Sequence, residues 1–262
     1  MVGLPQRDLT GGIGVISRPC ELDNGRASLY YILMFPLFVF GSLALTAALG
    51  WATYQSGRLL RSVPVTENLL LAPTENVVKG ALVLVCVGLG LLSGVPFQQL
   101  GWTLANGWQN IGLGIIAGLL TQLTANWLTT LAIDRFGKDI YSPVVMKNIM
   151  PRTRAEWILV PAALLLAVIL EELLFRSLLL GALSQAFPVL LLAVVFSAIF
   201  GLMHTPQGKL GVIITAALGF WLSLLFIWSG SLLLPLTTHY TINFLQLLKA
   251  QDKREWLDEY DS

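Results

Sequence analysis

Charged residues are scarce in this chain. Only 12% of its 262 residues are Asp, Glu, Lys or Arg, whereas soluble domains carry roughly 25%. Hydrophobic residues make up 55%, and the mean hydropathy is +0.73. Several apolar runs reach the ~20 residues that a helix needs to cross a bilayer, so the composition predicts an integral membrane protein in contact with the lipid bilayer. The net charge of +1 argues against a nucleic-acid partner.

Cysteine and histidine are equally rare, with two residues of each type. Cys20 precedes the first long apolar run and Cys86 lies inside another. We interpret them as an unpaired thiol and a small buried hydrophobic residue, which leaves no disulfide framework and no cysteine-rich zinc site.

The apolar runs predict an all-α fold, a polytopic transmembrane helix bundle of about seven spans. The expected spans are residues 29–51, 77–97, 110–133, 157–183, 189–204, 210–228 and 232–248. We expect one membrane domain with four parts: a polar tail (1–28), N-terminal spans and loops (29–156), a catalytic core (157–248) and a charged tail (249–262). Between Arg135 and Arg154 a re-entrant or surface helix is an alternative to a loop.

Lysine and arginine are distributed unevenly between the two sides that seven spans imply. The side of the N-terminus carries only Arg7, Arg18 and Arg26, and the opposite side carries twelve basic residues. Cytoplasmic loops of membrane proteins are the ones enriched in Lys and Arg. We therefore expect the N-terminus outside and the C-terminus in the cytoplasm.

Three ionisable residues stand in the middle of the fourth expected span. Glu171, Glu172 and Arg176 interrupt an otherwise apolar run, where each charge costs at least ~2.5 kcal/mol and therefore marks a functional or paired group. Glu172 and Arg176 are four residues apart, which places them on one helix face and predicts an ion pair. Glu171 is rotated by about 100° from Glu172. Burial without a nearby cation disfavours the charged form of a carboxyl, and this is how a glutamate becomes a general base.

Both histidines also lie within or at the end of expected spans. His204 ends the fifth span, and His239 lies in the seventh, four residues before Asn243 on the same helix face. At ~1.5 Å per residue, Glu171 and His239 lie near mid-depth and His204 lies nearer the cytoplasmic end. A cavity that joins the three side chains is expected to open towards the cytoplasm.

These residues form three motifs in order along the chain, and the motifs resemble a known family. Glu171-Glu172-x-x-x-Arg176, Phe200-x-x-x-His204 and His239-x-x-x-Asn243 are similar to the signature motifs of the CAAX-protease and bacteriocin-processing (CPBP) family, often called Abi, related to the Ras-converting enzyme. The resemblance covers residues 157–248 and includes Arg176 of the first motif and Asn243 of the third.

The resemblance implies a hydrolase, an intramembrane endopeptidase that cleaves a membrane-associated or lipidated protein or peptide. By analogy with the family, Glu171 would activate a water molecule with the help of His204, and His239 and Asn243 would stabilise the oxyanion. Glu172 and Arg176 would hold their helix in place.

The need for a metal is an open alternative. Members of the family are commonly described as metalloproteases, and Glu171, His204 and His239 could supply three ligands of a zinc site. The chain has no His-Glu-x-x-His motif, however, and Asn243 stands in the third motif. We expect a glutamate protease that requires no cofactor, with zinc as the alternative.

Two other functions fit an integral membrane protein with intramembrane polar residues. A proton-coupled transporter would use the acid and the histidines as a relay, but the sequence contains no internal repeat. A non-catalytic scaffold or immunity factor would keep the protease fold without its activity. Replacement of Glu171 by Gln distinguishes the scaffold from a hydrolase, because the hydrolase needs the carboxylate to activate water and a protein that only binds does not.

Overall fold

The computed structural model describes residues 24–62 and 67–252. These segments form a bundle of α-helices, which confirms the predicted all-α polytopic class. Most of the two predicted tails and Cys20 lie outside the described residues. The helices in chain order are α1 (Asn24–Ser62), α2 (Pro73–Leu92), α3 (Gly107–Phe136), α4 (Val144–Ile149), α5 (Glu156–Glu172), α6 (Val189–Leu202), α7 (Gly208–Ser229) and α8 (Leu233–Asp252).

Five of the described segments are long and apolar enough to cross a membrane: those of α1, α2, α3, α5 with its continuation, and α7. The apolar helix α6 has only 14 residues. Helix α8 has 20 residues, but its composition is more polar because it carries His239, Asn243 and several other polar side chains. Because α6 is short and α8 is polar, the expected number of seven spans agrees only approximately with the five long apolar helices.

Prolines and glycines set most of the helix boundaries. Helix α1 extends well beyond the expected residue 51, because no proline follows Pro36 before Pro64. Pro73 starts α2 at a position where its missing N–H is not needed. Gly137 and Gly230, with φ of 88° and 61°, follow the ends of α3 and α7. The short helix α4 lies between Arg135 and Arg154, where we considered a re-entrant or surface helix as an alternative to a loop.

Helix α5 does not continue as a regular α-helix. After Glu172 the chain forms a π-helix over Leu173–Ala182, and all ten of its residues are buried. Its side chains make up much of the largest hydrophobic cluster, together with residues of α1, α2 and α6. This segment is the centre of the bundle, and π-helical turns occur frequently at functional sites.

Helices α3 and α8 pack closely along much of their length. Gly114 and Gly118 of α3 face α8, and a Cβ at Gly118 would lie 2.6 Å from Cβ of Thr241 and 3.0 Å from the carbonyl oxygen of Thr238. Small residues let helix backbones approach each other in membranes, where no hydrophobic force drives helix association. The glycines thus fix the position of α8, which carries His239.

The outer surface of the bundle is apolar. Phe40 on α1, Leu84 on α2, Trp127 on α3 and Ile213 on α7 have more than half of their surface exposed. A soluble monomer rarely exposes so many large apolar side chains, whereas lipid accommodates them. The structure is therefore that of an integral, multi-pass membrane protein.

Candidate active site

The buried carboxylate of Glu172 connects two helices at the centre of the bundle. Its Oε1 accepts a hydrogen bond from Nη1 of Arg176 at 2.8 Å and lies 2.7 Å from Nδ1 of His239 on α8. Glu172 is fully buried and Arg176 is 1% exposed. The ion pair predicted by the spacing of four residues is present, and it extends to the histidine of the third motif.

Arg176 has two further contacts that fix its guanidinium. Its Nη2 donates to the carbonyl oxygen of Gly219 on α7 at 3.1 Å, and its Cζ lies 5.0 Å from the ring centroid of Phe200. A cation over an aromatic face is attracted by the ring quadrupole. Arg176 thereby connects the π-helix to both α6 and α7.

Glu171 lies in a different environment from its neighbour. About 35% of its side-chain surface is exposed, and its Oε2 lies 3.6 Å from Nε2 of His239. The two ring nitrogens of His239 therefore face two carboxylates, with Glu172 at Nδ1 and Glu171 at Nε2. Glu171 is the accessible carboxylate of the pair, which suits a group that must reach water and substrate.

His204 follows the end of α6, and its ring is oriented by its own helix. Its Nδ1 lies 2.7 Å from the carbonyl oxygen of Phe200. A carbonyl oxygen only accepts, so Nδ1 carries the hydrogen and Nε2 of the neutral ring has a free lone pair. The imidazole lies close enough to Glu171 and His239 to interact electrostatically with both.

Phe200 is the common packing surface of the site. Its ring centroid lies 4.8 Å from that of His204 and 6.0 Å from that of His239. The ring is 2% exposed and also meets Phe175 edge-on at 5.0 Å. One aromatic side chain therefore holds both histidines, while its backbone carbonyl sets the tautomer of His204.

Asn243 lies one helical turn after His239 on α8 and is half-buried. Within the described part of the chain, its amide makes no hydrogen bond. The spacing places it on the same helix face as His239, so a donor is available beside the imidazole. The structure thus brings Glu171, His204 and His239 together, and it places Asn243 one helical turn after His239 on α8.

The charges of the cluster suit it to proton transfer. Two carboxylates and the single guanidinium of Arg176 leave one negative charge, which one proton on His239 or Glu171 would balance. In a region of low dielectric, unbalanced charge is costly. An accessible carboxylate beside a histidine with a free lone pair is an arrangement that can take a proton from water.

The candidate zinc ligands do not form a metal site. Among residues 24–62 and 67–252, no group of three or more His, Cys, Asp or Glu side chains converges closely enough to hold a metal ion. Glu171, His204 and His239 therefore do not fit the three-ligand zinc site that the family resemblance allows.

Two features of the site were not predicted from the sequence. The hydrogen bond between Glu172 and His239 joins residues 67 positions apart, and the side chain of Phe200 contacts both histidines. The sequence contained a signal for the second, because Phe200 is part of the motif that ends in His204. It contained no signal for the hydrogen bond between Glu172 and His239, since an ion pair with Arg176 was already sufficient to account for a carboxylate at position 172.

One comparison with known proteins matches the part of the chain that carries the site. A family model described as "Type II CAAX prenyl endopeptidase Rce1-like" matches residues 153–245, a range that contains all three motifs. The searches against curated proteins and solved structures found no match. This part of the chain, 93 of its 262 residues, is therefore similar to the CAAX-protease (CPBP) family of intramembrane endopeptidases, in agreement with the three motifs.

Proposed function

We propose that this protein hydrolyses a peptide bond in a membrane-associated protein or peptide, with a water molecule activated by Glu171. The observation that carries the proposal is the contrast between two adjacent carboxylates. Glu172 is fully buried and paired with Arg176, whereas Glu171 is partly exposed and lies beside His239 and His204. Of these two carboxylates, Glu171 is the one that combines access to water with neighbours that can share a proton.

In the first step, Glu171 removes a proton from water while the water oxygen attacks the carbonyl carbon of the peptide bond. Nε2 of His204 accepts a hydrogen bond from the same water, because its Nδ1–H is held by the carbonyl of Phe200. General base catalysis of this kind typically contributes 10²–10⁴-fold to the rate. The carbonyl oxygen becomes an oxyanion.

His239 and Asn243 are the donors for this oxyanion. Nδ1–H of His239 is bound to Glu172, so the imidazole donates to the oxyanion through Nε2 when it carries a second proton. The carboxylates of Glu171 and Glu172 on either side stabilise such an imidazolium. The amide of Asn243, one turn away, supplies the second donor.

Collapse of the tetrahedral intermediate breaks the bond between carbon and nitrogen. Glu171 returns the proton to the leaving amine, so the carboxylate is regenerated and the products are a new carboxyl terminus and a new amino terminus. Glu172 and Arg176 act as positioning residues, because they hold His239 and do not touch the substrate.

We propose that the reaction proceeds without a metal ion. The support is the poor fit of Glu171, His204 and His239 to a three-ligand site. Incubation of the purified protein with EDTA, followed by dialysis, should leave the rate of peptide cleavage unchanged. Loss of cleavage with EDTA and recovery with Zn²⁺ would contradict the metal-free reaction.

The substrate is proposed to be a lipid-anchored or membrane-embedded chain, because the catalytic residues lie within the membrane domain. Comparison of protein termini between cells that express the wild-type chain and cells that express Glu171→Gln tests the proposal. We expect new termini that require Glu171 and belong to membrane-associated proteins. A wild-type phenotype of Glu171→Gln at equal expression would favour the non-catalytic scaffold.

A further inference from the structure

The C-terminal part of α1 packs against the turn that follows His204. Helix α1 continues to Ser62, and Gly57 is buried although most residues of the stretch 51–60 are exposed. A Cβ at Gly57 would lie 2.5 Å from Cγ of Pro206, which comes two residues after His204. We propose that Gly57 and Pro206 are positioning residues, through which α1 sets the position of the His204 imidazole for the attack of water on the peptide bond.

Helix α1 lies outside the part of the chain that resembles the CAAX-protease family. The family model matches residues 153–245, whereas α1 ends at Ser62. The match therefore assigns no role to α1. The role assigned to it here rests on the proposed peptidase function, in which Nε2 of His204 accepts a hydrogen bond from the reacting water.

The contact between Gly57 and Pro206 leaves no room for a side chain on α1. Carbon atoms pack best at about 3.5–4.0 Å, so a Cβ at 2.5 Å from Cγ of Pro206 would clash, and its distance of 3.2 Å from Cβ of Pro206 would also be short. The proline ring is closed onto the backbone of the turn and cannot rotate away. Glycine inside a helix is otherwise unfavourable by roughly 0.5–1 kcal/mol relative to alanine. The close approach of α1 to the turn thus explains the glycine.

The segment that precedes α4 holds the same turn. The backbone N–H of Ser142 donates to the carbonyl oxygen of Gln207 at 2.9 Å. A Cβ at Gly208 would lie 2.8 Å from the carbonyl oxygen of Ile140. The turn of residues 205–207 is therefore fixed by two parts of the chain besides α6. A displacement of the turn away from α1 must also distort its contacts with the segment before α4.

His204 connects this turn to the end of α6. Its backbone N–H donates to the carbonyl oxygen of Gly201 at 2.9 Å, and its carbonyl oxygen accepts from the N–H of Gln207 at 2.9 Å. Its Nδ1 lies 2.7 Å from the carbonyl oxygen of Phe200. The ring is thus bonded to α6, while the backbone of the same residue is also bonded to the turn. Because α6 ends at Leu202, a displacement of the turn changes the direction in which Nε2 points.

A small displacement is sufficient to affect the reaction. Relief of a contact at 2.5 Å needs a movement of about 1 Å, since carbon atoms pack at about 3.5–4.0 Å. A misplacement of about 1 Å, caused by a mutation far from the chemistry, can lower a rate by about 10²-fold. We expect Gly57→Ala to lower kcat by about 10–10²-fold and to change KM little, because the geometry of attack is altered and the bound substrate is not.

A double-mutant cycle tests whether the two positioning residues act through their mutual contact. Pro206→Ala removes the Cγ atom that the new Cβ would meet, so the double variant should retain more activity than the two single losses predict together. The kinetics use the peptide whose termini depend on Glu171 in cells. Gly50→Ala is the matched control, two turns before Gly57 on the same face of α1. Its Cβ would lie 3.7 Å from Cγ of Met203, an ordinary contact, so its kcat should be that of the wild type.

The two histidines of the chain allow a second measurement, which does not depend on catalysis. The full chain is labelled with heavy nitrogen in its histidines and reconstituted in phosphatidylcholine nanodiscs, and His239→Gln assigns the two imidazoles by nuclear magnetic resonance. We expect the wild-type signals of His204 to show the tautomer with hydrogen on Nδ1. Gly57→Ala should shift the signals of His204 and leave those of His239 in place, and Gly50→Ala should shift neither. Pro206→Ala opens the same contact without a clash and should also shift the signals of His204, which keeps the role testable if Gly57→Ala does not fold.

Wild-type kcat in Gly57→Ala, or additive losses in the cycle, would overturn the role of α1. An equal loss in Gly50→Ala would overturn it too, and so would a lower kcat with unchanged signals of His204, since the loss would then arise elsewhere. If the wild-type chain cleaves no peptide, the proposed peptidase is contradicted. The shift of the His204 signals then shows by itself whether α1 positions the imidazole.

Discussion

Glu171 and Glu172 are adjacent in sequence but have different roles in the site. Helical geometry turns their side chains about 100° apart. Glu172 thus meets Arg176 and His239 in the interior, and Glu171 meets the accessible side of His239. One carboxylate orders the site and the other is free to react. This division predicts that the two residues respond differently to the same substitution.

Glu172→Gln should lower stability, because it leaves the guanidinium of Arg176 buried without its counter-charge. Breaking a buried ion pair in this way costs about 3–5 kcal/mol. We expect a lower midpoint of thermal unfolding in detergent and weak activity. Glu171→Gln, at a partly exposed site, should unfold close to the wild-type temperature.

The double variant Glu172→Gln with Arg176→Met serves as the control for this prediction. It removes both charges, so it should recover part of the stability lost in Glu172→Gln. Equal unfolding temperatures for wild type and Glu172→Gln would show that the pair does not stabilise the fold.

Asn243→Ala should reduce kcat by about 10²–10³-fold with little change in KM, because loss of one oxyanion donor affects the transition state more than the bound substrate. Tyr240→Phe, which removes a polar group from the same turn of α8, should retain activity. Steady-state kinetics on a cleaved peptide provides the measurement. A change in KM with an unchanged kcat would contradict the role of Asn243 as an oxyanion donor and would indicate that it binds the substrate.

At the scale of the helix, the site depends on the irregular continuation of α5. Apolar periodicity predicted one span over residues 157–183, and the structure has an α-helix to Glu172 followed by a π-helix over Leu173–Ala182. Hydrophobic patterns do not reveal a π-helix, because every residue in this segment is buried and no face is distinguished. The spacing of Glu172 and Arg176 was predictable, since it is a local relation. The contact of Glu172 with His239 depends on how α5 and α8 pack.

Gly118→Val should disturb the packing of α3 against α8. A Cβ at this position would lie 3.0 Å from the carbonyl oxygen of Thr238, a backbone atom that cannot move without shifting the turn that carries His239. Overpacking of this kind costs about 1–3 kcal/mol. We expect lower thermal stability together with reduced activity.

Gly112→Val is the matched control, because it is on the same helix with no atom within 4 Å of a Cβ. It should keep nearly wild-type stability and activity. Similar losses in the two variants would mean that helix propensity, and not contact with α8, is the cause.

At the scale of the whole molecule, the distribution of basic residues leads us to propose that the C-terminus faces the cytoplasm. With the seven expected spans, Lys249, near the end of α8, lies on the side that carries twelve of the sixteen Lys and Arg residues. Composition was sufficient to predict a membrane protein. The number of spans was less certain, because α6 is short and α8 is polar.

Single cysteines in a background with Cys20→Ser and Cys86→Ala test this orientation. Leu104→Cys, in the exposed loop between α2 and α3, should react with a membrane-impermeant maleimide on intact cells. Asp252→Cys, at the end of α8, should react only after the cells are lysed. The opposite labelling pattern would reverse the orientation.

The most direct test of the role of Glu171 is peptide cleavage by the purified protein in vesicles made with water enriched in heavy oxygen. The peptide is one whose termini depend on Glu171 in cells. We predict that the wild-type chain places one heavy oxygen atom in the new carboxyl terminus, as read by mass spectrometry, and that Glu171→Gln is slower by about 10²-fold or more. Cleavage by Glu171→Gln at the wild-type rate would contradict the role of Glu171 in activating water.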